Sequence, residues 1–131
     1  VAIWYGTDVT VGWLGDSRAY WVGADSTQLT ADDSLGEHAI TRWLGSDAPS
    51  DPVPTVQFRP AGHGRLVLCT DGLWNHVGSV DELSALATGD ASAGPIAIAE
   101  ALTHCALARG GEDNVTVVVV DVYTEQQEMV A

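Results

Sequence analysis

The chain has 131 residues, 46% of them hydrophobic and 18% charged, which supports one domain or a piece of one and excludes a disordered segment. Five arginines, no lysine and a net charge of −13 exclude a phosphate-backbone partner and docking on an anionic membrane. Such an acidic surface suits solubility and the recruitment of divalent cations.

In chain order, the apolar run 1–5 reads as a strand. It begins Val1-Ala2-Ile3, with no methionine and no polar lead-in, as the interior of a longer protein would. Gly6-Thr7-Asp8 turns the chain into a second strand over 9–14. Gly15-Asp16-Ser17 then makes a tight turn, and 19–22 continues as the next strand of a hairpin. After a polar loop over 23–27, Asp32, Asp33 or Ser34 caps a short helix over 37–44. The stretch 46–54 holds three prolines and is an ordered loop or flap.

A short strand over 55–58 and a turn over 60–64 lead to the apolar run 66–69, which stops abruptly at Thr70-Asp71-Gly72. Ser79 caps a modest helix over 80–87. The best helical pattern covers 95–109: Pro95 suits its first turn, Ile98, Leu102 and Cys105 share a face, and Gly110 follows its end. The β-branched run within 114–122 predicts a strand buried on both faces, central in its sheet. From residue 124 the chain is polar and reads as a frayed tail, so the domain portion covers 1–123. Strands outnumber helices and most connections are of hairpin length. The fold class is therefore α+β, layered sheets covered by helices, and not a doubly wound parallel sheet.

Cys69 and Cys105 sit in apolar segments and read as free thiols, which makes a reducing cytoplasm the expected compartment. No secretory signal pattern and no membrane-spanning apolar run is present. The five tryptophans (Trp4, Trp13, Trp21, Trp43, Trp74) read as core filling. His38, His63, His76 and His104 are scattered and carry no zinc spacing. Neither a nucleophile elbow nor a phosphate-cradling glycine loop occurs.

Three acidic turns remain: Gly15-Asp16-Ser17, Thr70-Asp71-Gly72 and Gly110-Gly111-Glu112-Asp113-Asn114, each at a strand end. A carboxylate fixed there needs a cation nearby, because leaving it buried and unpaired costs several kcal/mol. With only five arginines in the chain, a metal ion is a candidate, and hard carboxylate oxygens suit Mg²⁺ or Mn²⁺.

These turns recur in an ordered series: Gly15-Asp16-Ser17-Arg18-Ala19-Tyr20, Leu29-Thr30-x-Asp32, Ile40-Thr41-Arg42-x-Leu44-Gly45, the 66–74 stretch ending Asp71-Gly72-Leu73-Trp74, and Gly110-Gly111-x-Asp113-Asn114-Val115-Thr116. The series resembles the later half of the PPM family of metal-dependent Ser/Thr protein phosphatases, the type 2C fold, in a bacterial form. The resemblance implies an αββα sandwich of two antiparallel sheets with two Mn²⁺ or Mg²⁺ ions at one end. It places Asp71, with Gly72 beside it, and Asp113 on the family's metal ligands and makes them the catalytic pair. Asp16 falls on a ligand of a weaker third site, which Asn75 joins through its amide oxygen. In the family the ions activate a bridging water that attacks phosphorus in line, so the implied partners are phosphoserine and phosphothreonine proteins.

The sequence departs from the family in two places. Nothing in 1–131 matches the Asp-Gly-x-Gly-Gly turn, the early acidic residue or the phosphate-gripping arginine of the family's first half. Asn75 stands where many relatives carry Asp, and an amide brings an oxygen but no charge. The expectation is therefore a phosphatase whose 131-residue piece is inactive alone, its open sheets stabilised by a complementing segment or a self-associated dimer. The alternative is a pseudophosphatase or regulatory partner-binding module on the same sandwich.

Overall fold

The computed structural model describes residues 1–35, 39–48 and 50–123. Its strands are β1 (Ala2–Tyr5), β2 (Asp8–Gly12), β3 (Arg18–Val22), β4 (Thr27–Gln28), β5 (Ser34–Leu35), β6 (Ala39–Ile40), β7 (Thr55–Phe58) and β8 (Gly64–Cys69). Helices α1 (Asp71–Trp74), α2 (Val80–Thr88) and α3 (Pro95–Ala108) follow, and β9 (Val117–Val122) closes the series. Every strand pairing is antiparallel: one sheet has the order β1-β2-β7, a second β4-β3-β8-β9, and β5 and β6 form a small ribbon. The α+β expectation holds.

Period-2 alternation sorts the second sheet into two faces. Ala19, Trp21 and Leu66 face Val9 and Val11 of the first sheet, forming a core between the sheets. Tyr20, Val22, Val67 and Cys69 point the other way, onto Leu83 and Ala87 of α2 and Ile98, Leu102 and Ala106 of α3. The layers run sheet, sheet, helix. Ser79 caps α2 by accepting from the Glu82 N–H at 3.1 Å, and Pro95 opens α3.

Four expectations need correction. The strand after Gly15 does not return along β2 as a hairpin: β3 crosses into the other sheet and pairs with β4 and β8. The helix over 37–44 is replaced by the β5–β6 ribbon, which the Thr41 N–H extends by donating to the Asp33 carbonyl at 2.7 Å. Glu37 and His38 lie outside the described residues, as does the tail over 124–131.

The β-branched run forms a strand only from Val117, and it lies at a sheet edge. Val117 and Val119 pack towards α3, whereas Val118 and Val120 are 48% and 36% exposed on the inter-sheet face. Continuous β-branching suits two buried faces, but the first sheet covers β9 only at its end, where Val122 is buried with Val9 and Val11. Of the tryptophans, Trp21 alone is buried; Trp4 and Trp43 are exposed.

Candidate metal centre

The three acidic turns meet. Asp16, Asp71 and Asp113 line one cleft of about 680 Å³, together with Gly72 and Asn75. The cleft lies where β3 begins and β8 ends, which are neighbours because Arg18 pairs with Cys69 in the sheet register. The third turn is brought in by β9, whose Val117 also pairs with Cys69.

Backbone contacts lock the Asp71 and Asp113 turns together. The Thr70 N–H donates to the Thr116 carbonyl at 3.1 Å, the Thr116 N–H to Thr70 Oγ1 at 3.0 Å, and Thr70 Oγ1 to the Asn114 carbonyl at 3.1 Å. Gly72 sits against the Asn114 carbonyl so closely that a Cβ there would overlap it. Glycine is required here by proximity. Gly110 and Gly111, at φ of 139° and 59°, turn the chain from α3 into the acidic loop.

Each carboxylate is also oriented locally. Asp71 Oδ1 accepts from the Gly72 N–H at 2.9 Å, and Asp113 Oδ1 from the Asn114 N–H at 2.6 Å. Asp71 and Asp16 are half-buried; Asp113 is exposed. Among the described residues no arginine or histidine ion-pairs with any of the three. The five arginines are engaged elsewhere, as Arg18–Asp32, Arg42–Asp33, Arg59–Asp8, Arg65–Asp121 and Arg109–Glu82.

Arg18, Asp32, Trp74, His76 and Glu112, none of them a site candidate from the sequence, also line the cleft. Arg18 and Asp32 fall inside the quoted motifs, but their pairing becomes visible only once β3 and the 29–32 segment are adjacent. Arg18 Nε and Nη2 donate to the Asp32 carboxylate at 2.9 and 2.7 Å, and this pair raises the guanidinium pKa further above its ordinary value. The next residue, Asp33, donates its N–H to the Gly15 carbonyl at 2.8 Å, tying that loop to the Asp16 turn. Behind the cleft, burial pushes the Cys69 thiol up to about 12, aided by the nearby Asp71 charge and opposed by Arg18.

The donor set is hard oxygen, suited to Mg²⁺ or Mn²⁺ and not to zinc. It is also partial. Among the described residues no three His, Cys, Asp or Glu side chains gather into a metal-holding group. A second cavity, about 540 Å³ between the sheets, is lined mainly by apolar groups such as Val11, Trp13, Leu68 and Val118 and offers no carboxylate.

No protein-family model matches the chain. The serine/threonine protein phosphatase PstP of Mycobacterium tuberculosis is 35% identical over 127 residues, covering 83% of this chain and 24% of PstP. The probable protein phosphatase 2C 74 of Oryza sativa subsp. japonica is 32% identical over 105 residues, covering 80% and 24%. The chain thus spans about a quarter of the length of these curated relatives. The solved serine/threonine phosphatase of S. agalactiae superposes with a TM-score of 0.78 at 25% identity, covering 90% of this chain and 55% of that one. The PstP catalytic domain in complex with two manganese ions superposes at 0.70 with 23% identity, covering 94% and 57%. By sequence similarity to type 2C phosphatases and by the fold it shares with bacterial serine/threonine phosphatases, the chain belongs to the PPM family and carries part of its phosphatase domain.

Proposed function

We propose that this chain supplies one side of the metal cleft of an enzyme that hydrolyses phosphoserine and phosphothreonine in proteins, with Mn²⁺ or Mg²⁺ as cofactor. The reading is carried by one observation: three acidic turns, far apart in sequence, share a cleft and have no protein cation paired to them among the described residues. The relatives' printed identities as protein phosphatases, one of them bound to two manganese ions, support it.

In this reading Asp71 and Asp113 are the catalytic metal ligands, Gly72 keeps their turns in contact, and Asp16 with the Asn75 amide oxygen serves a weaker third position. Bound there, such ions bring the pKa of a coordinated water towards neutrality and offset charge on phosphoryl oxygens. The chain's own work is orientation. The Gly72 and Asn114 amides each hold one carboxylate oxygen, which fixes the side chains that would meet the cation.

The phosphatase portion is 1–123. A reducing, cytoplasmic setting agrees with two free cysteines, and no helix among the described residues is long and apolar enough to cross a membrane. Among the described residues β9 ends its sheet, and that edge would accept a complementing segment or a second copy.

Manganese titration of the chain, followed by electron paramagnetic resonance, tests the assignment: Asp71→Asn is expected to weaken uptake at least ~10-fold. Unchanged uptake removes Asp71 from the site. The partial donor set favours a second reading, a pseudophosphatase or regulatory module on the same fold. That reading predicts that the longer protein containing this chain takes up Mn²⁺ yet leaves a phosphothreonine peptide intact.

A further inference from the structure

Among the described residues Arg18 is the one arginine lining the acidic cleft, and besides Tyr20 of its own strand it touches two separate segments. Its guanidinium carbon lies 3.6 Å from the centroid of the Trp74 ring. Nε and Nη2 grip Asp32, and Nη1 donates to the Tyr20 hydroxyl at 3.3 Å. The Trp74 indole N–H in turn donates to the Asp16 carbonyl at 2.9 Å. Trp74 ends the single-turn helix that Asp71 begins. A chain of contacts therefore runs from Asp32 through Arg18 and Trp74 to the backbone of Asp16 and the helix of Asp71.

We propose that Arg18 is a positioning residue for the cation site, acting through Trp74 on the Asp16 and Asp71 turns. This rests on the metal-binding reading above. The planar fork matters as well as the charge. It holds Asp32 with two donors while its face stacks on the indole, a pairing that a lysine cannot reproduce. Arg18 also occupies Asp32, which leaves Asp16, Asp71, Glu112 and Asp113 as the cleft carboxylates without an arginine partner among the described residues.

The test uses the full chain, with free Mn²⁺ followed by electron paramagnetic resonance below the onset of melting and metal-free melting recorded separately. Arg18→Met is expected to weaken Mn²⁺ uptake roughly 10- to 100-fold, the range for partners that orient metal ligands. Arg18→Lys is expected to recover melting temperature but not affinity. Trp74→Phe keeps an aromatic face and loses the hydrogen bond to Asp16, so it is expected to give an intermediate loss in folded protein. If Arg18→Met and Trp74→Phe bind Mn²⁺ as the unmodified chain does while Asp71→Asn does not, the positioning role is overturned and the metal reading stands. If Arg18→Lys restores full affinity, charge alone suffices and the fork-and-stack role is overturned. If Asp71→Asn binds Mn²⁺ like the unmodified chain, or if neither the chain nor the longer protein containing it takes up Mn²⁺, the metal reading itself fails.

Discussion

Gly72 shows how one atom can decide the geometry of the cleft. Its α-carbon lies against the Asn114 carbonyl, so a methyl group there must push apart the two turns that carry Asp71 and Asp113. Gly72→Ala is expected to destabilise the fold by about 1–3 kcal/mol, the usual cost of overpacking. It should weaken Mn²⁺ uptake as well, because the carboxylates move with their turns; calorimetric melting with and without Mn²⁺ reads both effects. Three positions earlier, Cys69 is 4% exposed, and its thiol is pushed up to about 12 chiefly by burial. Near neutral pH the reactive thiolate is then scarce. Iodoacetamide is expected to leave Cys69 unmodified in folded protein and to label it in urea, with peptide mass spectrometry as the readout. Labelling of Cys69 in the folded chain would show that the β3–β8 core opens to solvent. At this scale an Asp in a glycine-bearing turn at a strand end is a local signal, which makes Asp16, Asp71 and Asp113 visible in the sequence, and the structure brings them to one cleft. No such signal marks the Arg18–Trp74 stack, which joins residues 56 positions apart through the sheet register.

Helices α2 and α3 were legible because their signals are local: a serine cap, a proline in the first turn, and apolar residues three or four apart. The buried face of α3 is Ile98, Leu102 and Ala106, with Cys105 half-buried beside it. Leu102 is 0% exposed. Leu102→Ala is expected to cost about 2–5 kcal/mol in urea unfolding. The start of α2 adds a pH-dependent element. Glu82 accepts from the Gly78 N–H at 2.8 Å and pairs with Arg109 at 2.6 Å, and these contacts, the backbone bond first, lower its pKa. A lowered folded-state pKa means stability that is present above the unfolded glutamate pKa and lost as pH falls through the folded value. Melting temperature should therefore drop on acidification through and below the ordinary glutamate range, and the drop should be smaller in Glu82→Gln. An equal drop in both would assign it to other carboxylates. The helix expected over 37–44 failed for the opposite reason. Its residues carry helical spacing, but Ser34 and Leu35 pair with Ile40 and Ala39, and the Asp33 carbonyl takes the next amide. Pairing between neighbouring segments overrode the local pattern.

For the whole molecule, the α+β class followed from element order, whereas strand order did not. The crossing of β3 from one sheet to the other is set by contacts between residues distant in sequence, which a hairpin-length turn at Gly15 does not encode. The same limit explains β9. A run of valines says that two faces are apolar, and the partner elements decide which face is covered. Here α3 covers Val117 and Val119, and the first sheet stops short of Val118. The two readings of β9 differ in energy and can be separated. If both faces were buried, Val118→Thr would place a hydroxyl in the core at a cost comparable to truncating a central valine. With Val118 48% exposed, the change is expected to stay within about 0.5 kcal/mol, as for other surface substitutions. Val67, 0% exposed on β8 between β3 and β9, supplies the reference, and Val67→Ala is expected to cost about 2–3 kcal/mol. Urea unfolding of the two variants side by side gives the ratio. Comparable losses would mean that the inter-sheet face of β9 is covered in solution, with the gap between the sheets, lined by Val11, Leu68 and Val118, closed by a complementing segment or by another copy of this chain.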